Sequence, residues 1–366
     1  MNIPFVDLKA QYQSIKIDID NAIKSVIDET AFIRGKYVQQ FEKQFAELYG
    51  VKHCISVANG TDALYIIMKM LGIKEGDEVI TVANSWISTS ETISQTGAKP
   101  VFIDVDEFFT IDVSKIESKI TKHTKAILPV HLYGQMADIS AIQEICTRYN
   151  LHLIEDCAQS HFSEYNGKRA GLWGIAGSFS FYPGKNLGAY GDAGCIITND
   201  DSVAEKCRMY ANHGSLVKHN HIMEGINSRM DGLQAAILCA KLPHILKWTD
   251  MRIQNAALYD KYLSGISQIE LPKLRKDTKH TFHLYVIKAE RRDELKSYLQ
   301  ANGIECIINY PVPLPFMPAY SYLNCNEEDY SMVKKSQAKI LSIPIYPELT
   351  EEAIKYISVK INEFYN

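Results

Sequence analysis

The sequence predicts an α/β fold: a mostly parallel seven-stranded sheet sandwiched by helices, with a smaller α+β domain at the C-terminal end. Two observations carry this. Seven short runs, at 54–59, 77–83, 99–105, 124–130, 152–156, 178–182 and 194–198, are rich in apolar residues, most of them without strict alternation, as strands covered on both faces are. Between several of them apolar residues recur at i, i+3, i+4 and i+7, as with Leu64, Ile67, Met68 and Leu71, or over 139–149. Such stretches supply the crossover helices that parallel strands need.

Taken in order, residues 11–30 and 38–49 have helical spacing and are separated by a break at Arg34-Gly35. The first run ends in Asn59-Gly60-Thr61-Asp62, where a helix begins. Beyond the seventh run, helical periodicity from Asp231 to about Leu263, interrupted by Pro243, carries the chain into a second unit. A boundary near Trp248 divides it into a large domain, 1–248, and a small one, 249–366. In the latter, 280–287 and 306–309 read as strands around a helix at 292–301, with a final helix at 351–365.

With 366 residues, 46% of them hydrophobic, the chain can bury a large core. Its net charge of -4, with mixed signs, gives no field for nucleic acid and no polybasic membrane patch. No run approaches membrane-spanning length, and the N-terminal residues lack the pattern of a signal peptide. Eight cysteines scattered without close CxxC spacing point to reduced thiols and a cytoplasmic location. His213, His219 and His221 cluster in sequence, but no carboxylate or thiol group completes a metal site, so no metal is expected.

Ligands of parallel sheets bind beyond the carboxyl ends of the strands, which selects Gly60-Thr61-Asp62, Asn84-Ser85-Trp86, His131, Asp156 with Gln159, and Lys185. Lys185 lies in a turn among Phe181, Tyr182, Leu187 and Tyr190, where desolvation favours the neutral, nucleophilic amine; a surface lysine in a Gly/Pro-rich loop is the alternative. Thr61 and Asp62 open a helix where free amides attract phosphate, or are an ordinary cap; Ser180 could add a hydroxyl. Asp156 ends an apolar strand and needs a cation, or else caps a helix. Trp86 could stack on a flat ring or simply pack. A lysine for an imine, a carboxylate for a ring nitrogen and amides for a phosphate together match pyridoxal phosphate.

Gly60-Thr-Asp-Ala-Leu64, Pro129-Val-His-Leu-Tyr-Gly134, Ile154-Glu-Asp-Cys-Ala-Gln159, Ser180-Phe-Tyr-Pro-Gly-Lys-Asn-Leu-Gly188 and Gly225-Ile-Asn-Ser-Arg-Met-Asp231 resemble the DegT/DnrJ/EryC/StrS-type sugar aminotransferases, in register from Phe5 to the C-terminus. The resemblance implies fold type I and pyridoxal 5'-phosphate as an internal aldimine on Lys185, with pyridoxamine phosphate in turnover. It further implies that Asp156 binds the ring nitrogen, Trp86 stacks on the ring and Gln159 meets its hydroxyl. Gly60, Thr61, Asp62 and Ser180 are then the phosphate end. Asn227 reaches the phosphate of the other subunit in a homodimer. Tyr182, Lys218, His221, Arg229 and Tyr310 become candidates near the nucleotide sugar.

Related 3-dehydratases have histidine where this chain has Lys185, which favours amino transfer from L-glutamate. The Pro183-to-Gly188 turn followed by Gly191-Asp192 is more similar to members that aminate carbon 3 of a dTDP-linked 3-keto-6-deoxyhexose for a surface polysaccharide or related glycan. Amination at carbon 4, a dehydratase or lyase, and a non-enzymatic sensor are the alternatives. Asn309 and Pro315 depart from histidines common in relatives, which leaves the sugar open.

Overall fold

The structure, a computed structural model, describes residues 1–366. All seven apolar runs form strands of one sheet: His53–Val57 (β1), Glu78–Val82 (β2), Lys99–Ile103 (β3), Thr124–Leu128 (β4), His152–Asp156 (β5), Ala176–Ser180 (β6) and Gly194–Thr198 (β7). Their order is β1-β7-β6-β5-β4-β2-β3, with β7 antiparallel to both neighbours and the remaining pairs parallel.

The helices of this part are Leu8–Ser14 (α1), Lys16–Asp28 (α2), Lys36–Tyr49 (α3), Gly60–Met70 (α4), Ser88–Gln95 (α5), Ile139–Tyr149 (α6), Asp201–Tyr210 (α7) and Gly232–Lys241 (α8). They cover both faces, and the strands divide their side chains accordingly. Ile80, Ile127, Leu153 and Ile197 join one core with residues of α2, α3, α6 and α8. Their immediate neighbours Val79, Ala126, Ile154 and Ile196 join another with α4 and α7. This two-sided burial is why the runs are apolar without alternation.

A 19-residue helix, Ile245–Leu263 (α9), runs straight across position 248. Its first residues, Ile245 and Trp248, belong to the large core, whereas Ala256, Tyr259 and Leu263 belong to a separate one. That second core packs an antiparallel sheet, Ile269–Glu270 (β8), Tyr285–Ala289 (β9) and Ile340–Ile343 (β10), against Arg292–Ala301 (α10) and, past Ser331–Gln337 (α11), Glu351–Tyr365 (α12).

Three expectations are corrected. The helical stretch at 11–30 is two helices, because the chain turns at Ile15. The strand expected at 280–287 begins only at Tyr285: the amides of Thr281 and Leu284 bond to the carbonyls of Gly134 and Tyr133, so they cannot join a ladder. Residues 306–309 form no strand, only a single bridge from Ile307 to Ser342. The strand in this region is instead β10, reached after the proline-rich loop.

Strand β5 fixes the floor of the sheet's ligand-binding end. Glu155 is fully buried, and its carboxylate accepts hydrogen bonds from the amides of Gly171, Trp173 and Gly174, each at 2.7 Å. His131 completes the set at 2.9 Å; since its Nδ1 accepts from the Ala137 amide, its Nε2 carries the proton given to Glu155. Glu155, His131 and Cys157 place potential metal-ligating atoms within 4.8 Å of one another, but four donors already saturate the carboxylate. Replacing Glu155 by Gln would turn an amide NH2 toward donors, and is expected to lower the unfolding free energy by about 3 kcal/mol or more. Urea denaturation of the purified variant measures this; a loss below about 1 kcal/mol would contradict the assignment.

Candidate active site

Beyond the carboxyl ends of β1, β5 and β6 lies a cavity of about 550 Å³, closed on its other side by residues after α9 such as His283, Asn309, Tyr310 and Ile345. Asp156, the last residue of β5, faces it from the floor, on the opposite side of the strand from Glu155. Asp156 is 4% exposed; Oδ2 accepts from the Thr89 hydroxyl at 2.8 Å and Oδ1 from the Ala158 amide at 3.1 Å. The bond to Ala158 belongs to a turn, so Asp156 caps no helix. Burial pushes its carboxyl upward from the ordinary value, and these two bonds and the charge of Lys185 only partly oppose this.

Lys185 projects into the same cavity from the turn after β6, and its Nζ has neither a hydrogen bond nor an ion pair. Burial lowers its pKa from 10.5 to about 8, with the Asp156 charge acting the other way. The turn is held at three points: the Lys185 amide donates to the Tyr182 carbonyl at 2.8 Å, the Ala189 amide to the Phe181 carbonyl at 2.7 Å, and Lys241 Nζ to the Gly188 carbonyl at 2.7 Å. A Cβ on Gly188 would lie 2.3 Å from the Pro183 carbonyl oxygen, so the turn closes only with glycine there.

At the other end of the cavity, α4 begins. Asn59 is its cap, accepting from the Asp62 amide at 2.8 Å, which leaves the N–H groups of Gly60 and Thr61 without intrahelical partners. A Cβ on Gly60 would meet the Ser180 Cβ at 2.7 Å; the missing side chain brings the helix start against the end of β6. The hydroxyls of Thr61 and Ser88 lie 2.7 Å apart, and Ser180 lines the same corner. Amides, hydroxyls and the positive end of an 11-residue helix form a phosphate-sized anion cradle.

Trp86 lines the cavity and is 60% exposed, so it is not core packing. Its ring centroid lies 5.9 Å from that of Tyr310. Gln159 accepts from the Tyr133 amide at 2.9 Å and donates to the Tyr310 hydroxyl at 2.9 Å, which fixes its amide plane beside Asp156. Tyr182, 59% exposed, stands at the rim.

Other predicted residues lie elsewhere in the chain. The Asp62 carboxylate turns away to accept from the Ser228 hydroxyl at 2.6 Å, so Asp62 serves the helix start and does not line the cavity. Lys218, His221 and Asn227 are exposed on the segment between α7 and α8, outside this chain's own cavity. Arg229 lines a separate pocket of about 210 Å³ with Arg34 and Arg208. Thr89, His283 and Arg252 belong to the site and were not anticipated. Asn186 Nδ2 donates to the Thr281 carbonyl, so its Oδ1 faces His283 and accepts from Nδ1 at 3.2 Å. His283, a polar residue between Phe282 and Leu284, offered the one local signal; Thr89 lies in the polar run Ser88-Thr-Ser-Glu-Thr92, and long-range folding conceals it and Arg252.

The donor set fits pyridoxal phosphate: a partnerless amine, an under-satisfied buried carboxylate and an anion cradle open onto one cavity of suitable volume. The depressed lysine pKa has a testable sign. Between about 8 and 10.5 the folded chain has released a proton that the unfolded chain keeps, so the cost of burying the ammonium is fully present below pH 8 and fades as pH rises toward 10.5. Lys185→Met is therefore expected to raise the melting temperature of cofactor-free protein at pH 7, with a gain that shrinks by pH 10. A pH-independent effect would contradict the buried-ammonium assignment.

The sequence profile of the DegT/DnrJ/EryC1/StrS aminotransferase family matches residues 13–362. A pleiotropic regulatory protein of Geobacillus stearothermophilus is 45% identical over 100% of this chain and 99% of its own length. A dTDP-3-amino-3,4,6-trideoxy-α-D-glucose transaminase of Streptomyces venezuelae is 41% identical over 95% of this chain and 92% of its own. Among solved structures, S. venezuelae DesV in complex with a ketimine intermediate superposes with a TM-score of 0.97 at 40% identity, covering 100% of this chain and 99% of that one. The seven-stranded sheet with one reversed strand is thus the fold type I architecture, and the chain belongs to the DegT/DnrJ/EryC1/StrS aminotransferase family as a pyridoxal-phosphate-dependent sugar aminotransferase.

Proposed function

We propose that the protein moves the amine of L-glutamate onto carbon 3 of a dTDP-linked 3-keto-6-deoxyhexose, as a homodimer in the cytoplasm. The observation that carries the catalytic part is the partnerless Lys185 amine sharing one cavity with the buried Asp156. The likeness to the S. venezuelae 3-amino-sugar transaminase supports carbon 3 and the dTDP carrier. The eight free cysteines suit a reducing compartment.

When bound, pyridoxal phosphate supplies an electron sink for the carbon that loses or gains a proton during amine exchange. Asp156, whose own protonation is favoured by burial, is relieved by holding a cationic ring nitrogen, and Thr89 and the Ala158 amide orient it. The Gly60 and Thr61 amides and the Thr61 and Ser180 hydroxyls would hold the phosphate. Trp86 would offer its exposed face to the ring, and Gln159, clamped by Tyr133 and Tyr310, would meet the ring hydroxyl. Lys185, its pKa lowered by burial to about 8, accepts a proton from the donor's α-carbon and returns one, since the lowered pKa leaves more of the amine unprotonated to act as a general base.

Asn227 reaches the cofactor phosphate of the other subunit, and Lys218, His221 and Arg229 are candidates near the nucleotide sugar; their position outside their own chain's cavity supports contact with a second copy. Exposed apolar residues on the same segment, Val217 at 65% and Ile222 at 68%, support a covered surface there. Tyr182 and Tyr310 then meet the sugar from the chain's own side.

With L-glutamate and dTDP-3-keto- or dTDP-4-keto-6-deoxyhexose as substrates, 2-oxoglutarate is expected to form stoichiometrically with a product aminated at carbon 3, assigned by mass and proton coupling. Amination at carbon 4 would redirect the substrate assignment, and ammonia release without 2-oxoglutarate would replace transfer with elimination. Lys185→Ala is expected to abolish turnover and cofactor absorbance while the protein stays folded. Asp156→Asn should cut kcat by about 100-fold or more. Full activity in either variant would remove its residue from the mechanism.

A further inference from the structure

We infer that the second pocket, beside the first turns of α3, binds a tetrahedral oxyanion of the phosphate class through Arg34, Arg229 and the Ser56 hydroxyl. The pocket has a volume of about 210 Å³ and shares no residue with the cavity of Lys185. That is less than the roughly 300 Å³ at which pockets for larger organic ligands begin, so its occupant is small. Arg34, Arg208 and Arg229 line it with a single carboxylate, Glu42. Glu42 is already committed: Oε1 accepts from the Ser56 amide at 2.8 Å and Oε2 from Arg208 Nη1 at 2.8 Å. Arg208 is committed too, because its Nη2 donates to the Cys54 carbonyl at 3.0 Å. Arg34 and Arg229 form no hydrogen bond and no ion pair, so two positive charges stand unanswered. Burial and the charges of Arg229 and Arg208 push the Arg34 guanidinium down from its ordinary value, and only Glu42 opposes them.

Ser56 points to a ligand independently of the arginines. It is 9% exposed, its Oγ is buried without a partner, and it lines the same pocket. A buried hydroxyl left unpaired is costly, and an oxyanion facing the guanidiniums would take its proton as a hydrogen bond. The start of α3 adds to the field, with no side-chain cap and no acidic residue in its first turn. Val38, Ile55 and Met230 supply apolar wall, which strengthens each charged contact. A dianion matches the two uncompensated charges where a carboxylate would match one, and guanidinium edges grip phosphate oxygens in pairs. An anion on Arg229 would also steady its neighbour Ser228, which donates to the Asp62 carboxylate at 2.6 Å and accepts from the Ala58 amide at 3.1 Å. The pocket is thereby tied to the start of α4.

The probe is inorganic phosphate, titrated by calorimetry into the cofactor-loaded enzyme, so that it does not compete for the α4 cradle, at an ionic strength fixed with chloride. Wild type is expected to show one saturable site per chain. Arg34→Gln should weaken it about 10-fold or more, Arg34→Lys less, and Ser56→Ala about three-fold or more. In chloride alone Arg34→Gln should melt no lower than wild type, since a repelled cation is removed, while the rise in melting temperature that phosphate gives wild type should be lost. Should Arg34→Gln fail to fold, Ser56→Ala decides. Repeating the titration with saturating dTDP separates the two sources of the ligand: competition assigns the pocket to a phosphate of the nucleotide, and independent binding assigns it to free phosphate. A wild type with no saturable site, as when an acidic side chain of a second copy fills the pocket, overturns the inference. So does unchanged phosphate affinity in a folded Arg34→Gln.

Discussion

Two adjacent carboxylates at the end of β5 face opposite sides of one strand, and what each is given to bind organises the rest of the molecule. Glu155 receives three amides and an imidazole, all from the chain itself, and becomes an inert anchor. Asp156 receives one amide and one hydroxyl, and burial still biases it toward protonation. Both are buried, so the difference is one of hydrogen bonding: the protein completes the first and leaves the second to a cationic ligand. A cationic ring nitrogen at Asp156 would relieve a tension that folding builds in.

The same incompleteness recurs around the cavity. The amides of Gly60 and Thr61 lack acceptors, Lys185 lacks any partner, and Arg252 has an unbonded Nε. The surrounding turns, by contrast, are fully specified. Gly188 and Gly60 permit contacts that a Cβ would block, and Lys241, completely buried, ties the lysine turn to α8 through the Gly188 carbonyl with its ammonium 4.3 Å from the Tyr190 ring centroid. Rigid supports around unsatisfied groups are what preorganised binding requires, since the ligand then meets donors and acceptors already in place.

The incomplete groups also sort by ligand. The α4 end suits phosphate and Asp156 suits a ring nitrogen, while the exposed aromatics stand at the open side. One cavity thus presents two separate chemistries to a single ligand.

The seven strands, most of their helices and the strand-end residues Lys185, Asp156, Thr61 and Trp86 were legible in the sequence, because two-sided burial leaves continuous apolar runs and ligands gather where such runs end. The small domain was read less well: residues 280–284 look like a strand, but Thr281 and Leu284 give their amides to the turn at 133–134, a competition between segments far apart in the chain. Asp62 shows the same limit within the site, since its type suits a phosphate corner while its neighbour Ser228, 166 positions away, claims its carboxylate. Sequence by itself determined which local groups were chemically able to act. Tertiary structure decided which of them were left unsatisfied, because a hydrogen bond between distant residues has no periodicity and leaves no local trace.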